Sequence, residues 1–447
     1  MRRLWLSLAV SVATLLPAQP APPSPVRDLA GKVQAARLSR TVDRLASFGT
    51  RHSLSDPVAQ GRGIGAARRW LAGEFQALTV LPGSRLETFD DAFQAGPGPD
   101  LPRAVEMVNL GVVLPGTDPA RNREALVVAA HYDSRAADLL DGSSDAPGAV
   151  DNASGVAVVL EMATVLAAEK PAVAIYFVAT AGGEQGNLGS ARLAGKFKEA
   201  HIDVLAMVAA QCVGNTAGPG AAKGDAAVRL FSGEPARPEG EGERRLRDLL
   251  GDDNDGPSRS LARYIKRVGE AYVEDFEALV MLRRNRLGFS GEQDPFLSAG
   301  YPAVQVTELV DNHDRLRQNL VSQGSRRTGD TPAFFNAGYC ARITRMLAAA
   351  FRHLSYAPRA PQNVGLGGCG GPDARLFWSL PEDPRVAGVV LYRRRGDSVH
   401  WAQTRAFPAS ESQVIPDVGT DTDVFAVATA DAQGDESLAV SPRSVVF

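Results

Sequence analysis

His131 closes the apolar run Ala125 to Ala130, and Asp133 follows two residues later, so an imidazole ends a short buried segment with a carboxylate in reach. A metal-binding imidazole gives its other ring N–H to an acceptor, a place Asp133 can take. Asp151 stands in Val-Asp-Asn-Ala-Ser-Gly just before a helical stretch, and Glu184 in Gly-Gly-Glu-Gln-Gly after the apolar run Ala172 to Ala179. Singly, each has a plain explanation. His131 makes a structural hydrogen bond, Asp151 caps a helix, and Glu184 is a solvated loop acid. Three such pieces in one chain ask for a joint reading.

The frames strand-His-x-Asp, Asp-Asn-Ala-Ser-Gly and strand-Gly-Gly-Glu-Gln-Gly-Asn-Leu-Gly-Ser closely resemble those of the co-catalytic zinc aminopeptidases, metallopeptidase family twenty-eight. The resemblance runs from Gly61 to Leu354. It includes Asp141 to Gly155, Gln211 to Thr216, Val228 to Ser232 and Asp294 to Glu308, after the pattern of secreted bacterial members with a C-terminal sandwich domain. It implies two zinc ions about 3.5 Å apart, sharing a water that attacks the scissile carbonyl. Peptides or protein N-termini are the implied partners. By the same resemblance Asp151 bridges both metals, His131 and an Asp after a later strand complete one site, and Glu184 and a late His complete the other. A Glu immediately before the ligand Glu is the implied general base.

Position by position, His131, Asp151 and Glu184 are retained and three other roles are substituted. The base position is Gly183, which has no side chain to take a proton from water. The run Val204 to Ala210 delivers Gln211 before Cys212, Val213 and Gly214, a neutral amide in a ligand's place. The late histidine position falls on Arg317, between Leu316 and Gln318, and a guanidinium cannot bind a cation. His313 is an alternative donor, although it aligns better with an aromatic position beside Asn312. Gly291, Glu292 and Gln293 stand where the family has Gly-Asp-His. Counting Asp151 twice, each ion keeps two ligands, fewer than the three protein ligands of a catalytic zinc. Without dications the carboxylates would repel one another, and Arg317 paired with Asp151 or Glu184 would relieve that. Two function classes follow: a zinc metallo-exopeptidase with impaired or lost catalysis, or a non-catalytic peptide-binding scaffold with a metal-free site. No Gly-x-Ser-x-Gly elbow lies near the strand ends, which argues against a serine hydrolase.

Bringing these residues together requires strands that end at one edge. Short apolar runs at Val108 to Leu114, Ala125 to Ala130, Ala172 to Ala179 and Val204 to Ala210 alternate with amphipathic stretches such as Ser154 to Glu169. That alternation predicts an α/β domain, with a mixed, largely parallel central sheet flanked by helices and ligands held at the carboxyl ends of strands. Further strands are expected at Ala278 to Leu282 and Ala303 to Thr307, helices at Ser258 to Tyr272 and Pro332 to Leu354, and a charged surface excursion at Gly233 to Asp255. Val26 to Leu78 reads as largely helical. No strand precedes Gly61, Gly63 and Gly65, so they suit a helix entry rather than a phosphate loop. The Asn152-Ala153-Ser154 sequon falls at a helix start and reads as capping.

Arg2 and Arg3 before the apolar Leu4 to Leu16, with small residues at Ala18 to Ala21, read as a secretory signal over residues 1–21, too short to span a bilayer. Secretion or a periplasmic location follows. The α/β domain is expected over 26–355, a Pro-punctuated linker over 356–361, and a C-terminal all-β sandwich over 362–447. Strands are expected there at Arg375 to Ser379, Gly388 to Arg393 and Val424 to Ala430, and the Trp378 strand followed by Val389 to Tyr392 resembles a fibronectin type III module. The 447 residues, 44% hydrophobic and 22% charged, suffice for two or three cores, and a net charge of −3 gives no footprint of a nucleic-acid or polybasic membrane binder. Cys212, Cys340 and Cys369 have no metal-site spacing and allow at most one disulfide.

Overall fold

The computed structural model describes residues 25–218, 223–236, 238–250, 254–323, 326–368 and 371–446. The expected signal segment and Cys369 lie outside the described residues. Cys212 and Cys340 are buried, free thiols.

The chain opens with helices α1 (Pro25–Gly31), α2 (Ala35–Ala46) and α3 (Gly63–Thr79). The region expected to be largely helical is broken between α2 and α3 by a loop, in which the Asp56 carboxylate accepts the backbone N–H groups of Val58 and Ala59. Helix α3 starts at Gly63, in the left-handed region at φ +82°, so the glycines do serve a helix entry. Then come β1 (Glu87–Ala95), β2 (Val105–Leu114), β3 (Glu124–His131), α4 (Ser154–Leu166), β4 (Ala174–Thr180), α5 (Leu188–Glu199) and β5 (Asp203–Ala210). They are followed by β6 (Ala227–Phe231), α6 (Glu241–Leu250), α7 (Pro257–Glu270), β7 (Glu277–Met281), α8 (Gln293–Ala299), β8 (Ala303–Glu308), the hairpin β9 (Val321–Gln323) and β10 (Arg326–Thr328), and α9 (Ala337–Tyr356). The C-terminal strands are β11 (Gln362–Gly367), β12 (Ala374–Ser379), β13 (Gly388–Arg395), β14 (Gln403–Pro408), β15 (Ser412–Ile415), β16 (Asp423–Ala430) and β17 (Val445–Val446).

The main sheet is mixed, in the order β1-β2-β4-β3-β5-β8-β6-β7. Its centre, β4-β3-β5-β8, is parallel throughout, whereas β1 with β2, β2 with β4 and β6 with β8 are antiparallel. Central parallel strands are covered on both faces and so carry continuous apolar runs. From Ala125 to His131 every residue of β3 is buried. Helix α4 packs beneath and is buried almost all round. With the preceding turn it is long and apolar enough to cross a membrane, yet 94% of that window lies inside the protein, as befits a core helix. The C-terminal strands form two sheets, β15-β12-β11-β17 and β14-β13-β16. Val364, Leu376, Trp378, Leu391, Phe425 and Val427 share one buried cluster between them.

Candidate functional site

Because β4, β3, β5 and β8 run parallel, their carboxyl ends share one edge, and the segments that leave them carry the expected site residues. His131 is the last residue of β3, the 181–187 turn follows β4, Gln211 follows β5, and the loop leaving β8 brings Arg317. His131, Asp151 and Glu184 are buried and converge, each offering one donor atom within 4.8 Å of the others. His131 Nε2 lies 3.3 Å from Asp151 Oδ1, and its Nδ1 lies 3.1 Å from the Asp133 carbonyl and 3.6 Å from Asp133 Oδ1. The Asp133 carboxylate accepts the N–H groups of Gly183 (2.9 Å) and Glu184 (2.8 Å), so it fixes the turn after β4 against the imidazole. Burial is the largest influence on His131 and opposes its charge, but Glu292, Asp133 and Asp151 outweigh it and hold the ring well above its ordinary pKa.

Arg317 enters between the two other acids. Its Nε lies 3.3 Å from Asp151 Oδ2 and its Nη2 3.1 Å from Glu184 Oε2, while its guanidinium stacks 5.1 Å from the Phe289 ring centre. Its backbone takes φ +55°, a left-handed conformation costly for a residue with a Cβ, so the loop holds the side chain in place against local preference. Burial raises the pKa of Glu184, with Asp151 adding to the effect. It opposes ionisation of Asp151 too, but there Arg317, His131 and Arg286 prevail and lower the pKa. Neither Asp151 oxygen has an aligned hydrogen bond among the described residues, despite the close cations. Gln211 is buried. Its Oε1 accepts from Gln305 Nε2 at 2.6 Å, and its Nε2 lies 3.5 Å from His131 Nε2.

Gly183 is packed more tightly than its lack of a side chain suggests, since a Cβ there would lie 2.3 Å from His131 Cγ. His313 is exposed and stands outside the convergent group. Glu292 and Gln293 are fully buried. Asn152 of the sequon is also buried, with its Oδ1 accepting from Gly155 and Cys212 N–H.

Several residues absent from the sequence reading complete the site. Arg135 Nε lies 3.1 Å from Glu184 Oε2. Arg286 pairs with Asp311 at 2.8 Å and reaches Cys212 Sγ at 3.7 Å. Asp330 accepts the N–H groups of Val150 and Asp151, and the buried Arg51 donates to the Tyr132, Gly148 and Leu45 carbonyls, so the turn carrying Asp151 is held from both sides. Burial raises Asp330 to about 7. Only Arg135, four residues beyond His131, left a signal in sequence, as a cation beside a metal-site frame.

The sequence pattern of Peptidase family M28 matches residues 109–226. A "Probable zinc metalloprotease" of Leptosphaeria maculans is 31% identical over 425 residues, spanning 95% of this chain and 98% of its own length. The chain belongs to peptidase family M28. A second relative, a "Probable zinc metalloprotease" of Pyricularia oryzae, is 32% identical over 98% of this chain and 88% of that one. Among solved structures, the Legionella pneumophila LapA aminopeptidase superposes with a TM-score of 0.51 at 18% identity over 80% of each chain, a likeness of fold.

Whether this M28 site suits a pair of dications is decided by its donors. His131, Asp151 and Glu184 are a donor set able to hold a metal ion. The oxygens that would serve a second ion, Asp151 Oδ2 and Glu184 Oε2, are the ones Arg317 contacts. A fixed guanidinium charge and a dication cannot share that point, and the Gln211 amide adds no anionic donor. As arranged, the side chains do not fit two zinc ions.

Proposed function

We propose that this M28 chain is a peptide-binding protein built on a metallopeptidase fold, with aminopeptidase chemistry impaired or lost and a metal-free site. The observation that carries the reading is Arg317 in contact with both Asp151 and Glu184, a tethered cation where the resemblance implies zinc. Gly183 removes the base and Gln211 one anionic ligand. The convergence of His131, Asp151 and Glu184 persists, and peptides or protein N-termini are the ligand class that the family suggests. The reading extends to a secretory signal at residues 1–21, placing the protein outside the cytoplasm, and to a fibronectin type III-like sandwich of the secreted bacterial type.

A second reading, an active zinc exopeptidase, is favoured by the convergence of His131, Asp151 and Glu184 and by the relatives named as probable zinc metalloproteases. It requires Arg317 to leave the site and a donor other than Gln211 to enter.

Metal analysis and an aminoacyl-arylamide assay separate the two. The expected result is no bound zinc and no turnover in the wild type, and bound zinc in Gln211→Asp/Arg317→His. Two equivalents of zinc and hydrolysis in the wild type would overturn the metal-free reading.

A further inference from the structure

We propose that the pocket takes the free C-terminus of a polypeptide, with the carboxylate seated between Arg135 and Arg317 and apolar side chains laid over the surrounding rim. This rests on the peptide-binding reading above and gives the ligand a direction.

Two guanidiniums converge on one oxygen, since Arg135 Nε and Arg317 Nη2 both lie 3.1 Å from Glu184 Oε2. A guanidinium has five N–H donors, so one carboxylate oxygen cannot satisfy two of them. Among the described residues the spare donors of Arg135 reach only the Ala136 and Ala137 carbonyls, at 3.4 and 3.1 Å, and with Arg317 Nε buried against Asp151 and Nη2 on Glu184, Nη1 is the nitrogen left to meet a ligand. Both side chains keep about a fifth of their surface exposed, 18% and 20%, so both are in part open to solvent. Around the site the four guanidiniums of Arg135, Arg229, Arg286 and Arg317 contact three carboxylates, those of Asp151, Glu184 and Asp311. An entering carboxylate can accept from both exposed forks while their pairs to Glu184 persist, in charge-assisted hydrogen bonds. An entering ammonium would instead meet the two guanidiniums that screen Glu184.

The rim indicates a polypeptide rather than a small anion. Among the described residues seven large apolar side chains stand well exposed, and four of them, Leu140, Leu287, Leu320 and Val321, lie on the chain segments that carry Arg135, Phe289 and Arg317. The loops that bear them meet, for the Ala137 N–H donates to Asn319 Oδ1 at 3.1 Å and Arg317 stacks on Phe289. Exposed apolar side chains on loops that meet one another mark a contact surface, and these loops also carry the two arginines.

Fluorescence anisotropy on the purified full chain tests this with one apolar hexapeptide in four forms: free at both ends, N-acetylated with a free C-terminus, amidated at the C-terminus, and amidated with an internal aspartate. The two free acids are expected to bind alike and the amides at least about tenfold more weakly, the loss that a charge-assisted pair implies. Arg135→Gln should remove that preference. Should this variant fail to fold, Leu287→Ser, on the exposed rim, should weaken binding of the free acids. Equal binding of acid and plain amide would overturn the carboxylate site while leaving peptide binding intact, and equal binding of the internal aspartate form would overturn the C-terminus as its source. Cleavage of the doubly free peptide would overturn the non-catalytic reading beneath it. No binding of any form would overturn both.

Discussion

A Cβ added at Gly183 would meet His131 Cγ at 2.3 Å, Cβ at 2.4 Å and Cδ2 at 2.8 Å, distances that no relaxed packing tolerates. The imidazole cannot yield easily, because its Nδ1 faces Asp133 and its Nε2 faces Asp151. Gly183→Ala is therefore expected to destabilise the protein by about 1–3 kcal/mol, the cost of overpacking a close-packed interior. Urea denaturation measures it, and an unchanged midpoint would mean that the turn after β4 moves freely. The same contact means that no side chain can be placed at this position by one substitution unless the ring moves. In sequence, His131 and Glu184 were legible because each sits in a short frame after an apolar strand, and Asp151 because its frame stands just before a helix. Arg317 was legible because the resemblance implies a metal ligand at that position and the sequence has a cation there. Arg286 and Asp330 were not, since their partners lie 25 and about 180 residues away and only the folded loops bring them close.

Strand β8 ends in Glu308, a fully buried carboxyl whose Oε2 accepts the Asn215 N–H at 2.8 Å while Oε1 finds no hydrogen-bond partner among the described residues. Burial pushes its pKa well above the ordinary 4.5. A raised carboxyl pKa means that the folded state holds a proton which the unfolded state releases, so this group's contribution is fully present below pH 4.5 and is lost as pH rises towards the folded pKa. Glu308→Gln keeps an acceptor for Asn215 and removes the titration. Its stability relative to wild type should climb from pH 4.5 upward by at most about 1.4 kcal/mol per pH unit. Denaturation curves from pH 4 to 8 read this directly, and curves that stay parallel would refute it. The elements themselves were legible where both faces are covered, as in β3 and β5. Strand β1 was not expected because only Asp91 and Ala95 are buried along it, leaving no apolar run. β14 and β15 escaped notice for the same reason: β15 buries only Ile415. The break between α2 and α3 is set by Asp56 capping its own loop, a local polar choice that helical periodicity does not report.

Across the whole molecule, the sandwich meets the amino-terminal edge of the main sheet, opposite the pocket. Arg359 pairs with Glu124 at the start of β3 (2.6 Å), and a crevice of about 440 Å³ there is lined by Asp203 at the start of β5, Pro302 just before β8, and Ser437 to Ser441. The eight residues of β3 put about 25 Å between the two edges. The sandwich therefore acts on stability and not on the pocket. Its anchor is Asp255, buried between Arg263 of α7 at 3.0 Å and Arg394 of β13 at 2.5 Å. Burial is the main influence on Arg263 and lowers it to about 10 even with the carboxylate present, a measure of how dry the junction is. Asp255→Asn removes the anion that both guanidiniums share, and breaking a buried pair in this way costs about 3–5 kcal/mol. Calorimetry should show a lower melting temperature, with the sandwich unfolding ahead of the α/β body. Asp397→Asn, at an exposed pair with Arg395, should leave the melting temperature unchanged. Below its melting temperature the Asp255 variant should bind peptide as the wild type does. Weakened binding at a temperature where the variant is fully folded would show that the sandwich reaches the pocket after all, and would make it part of the recognition surface.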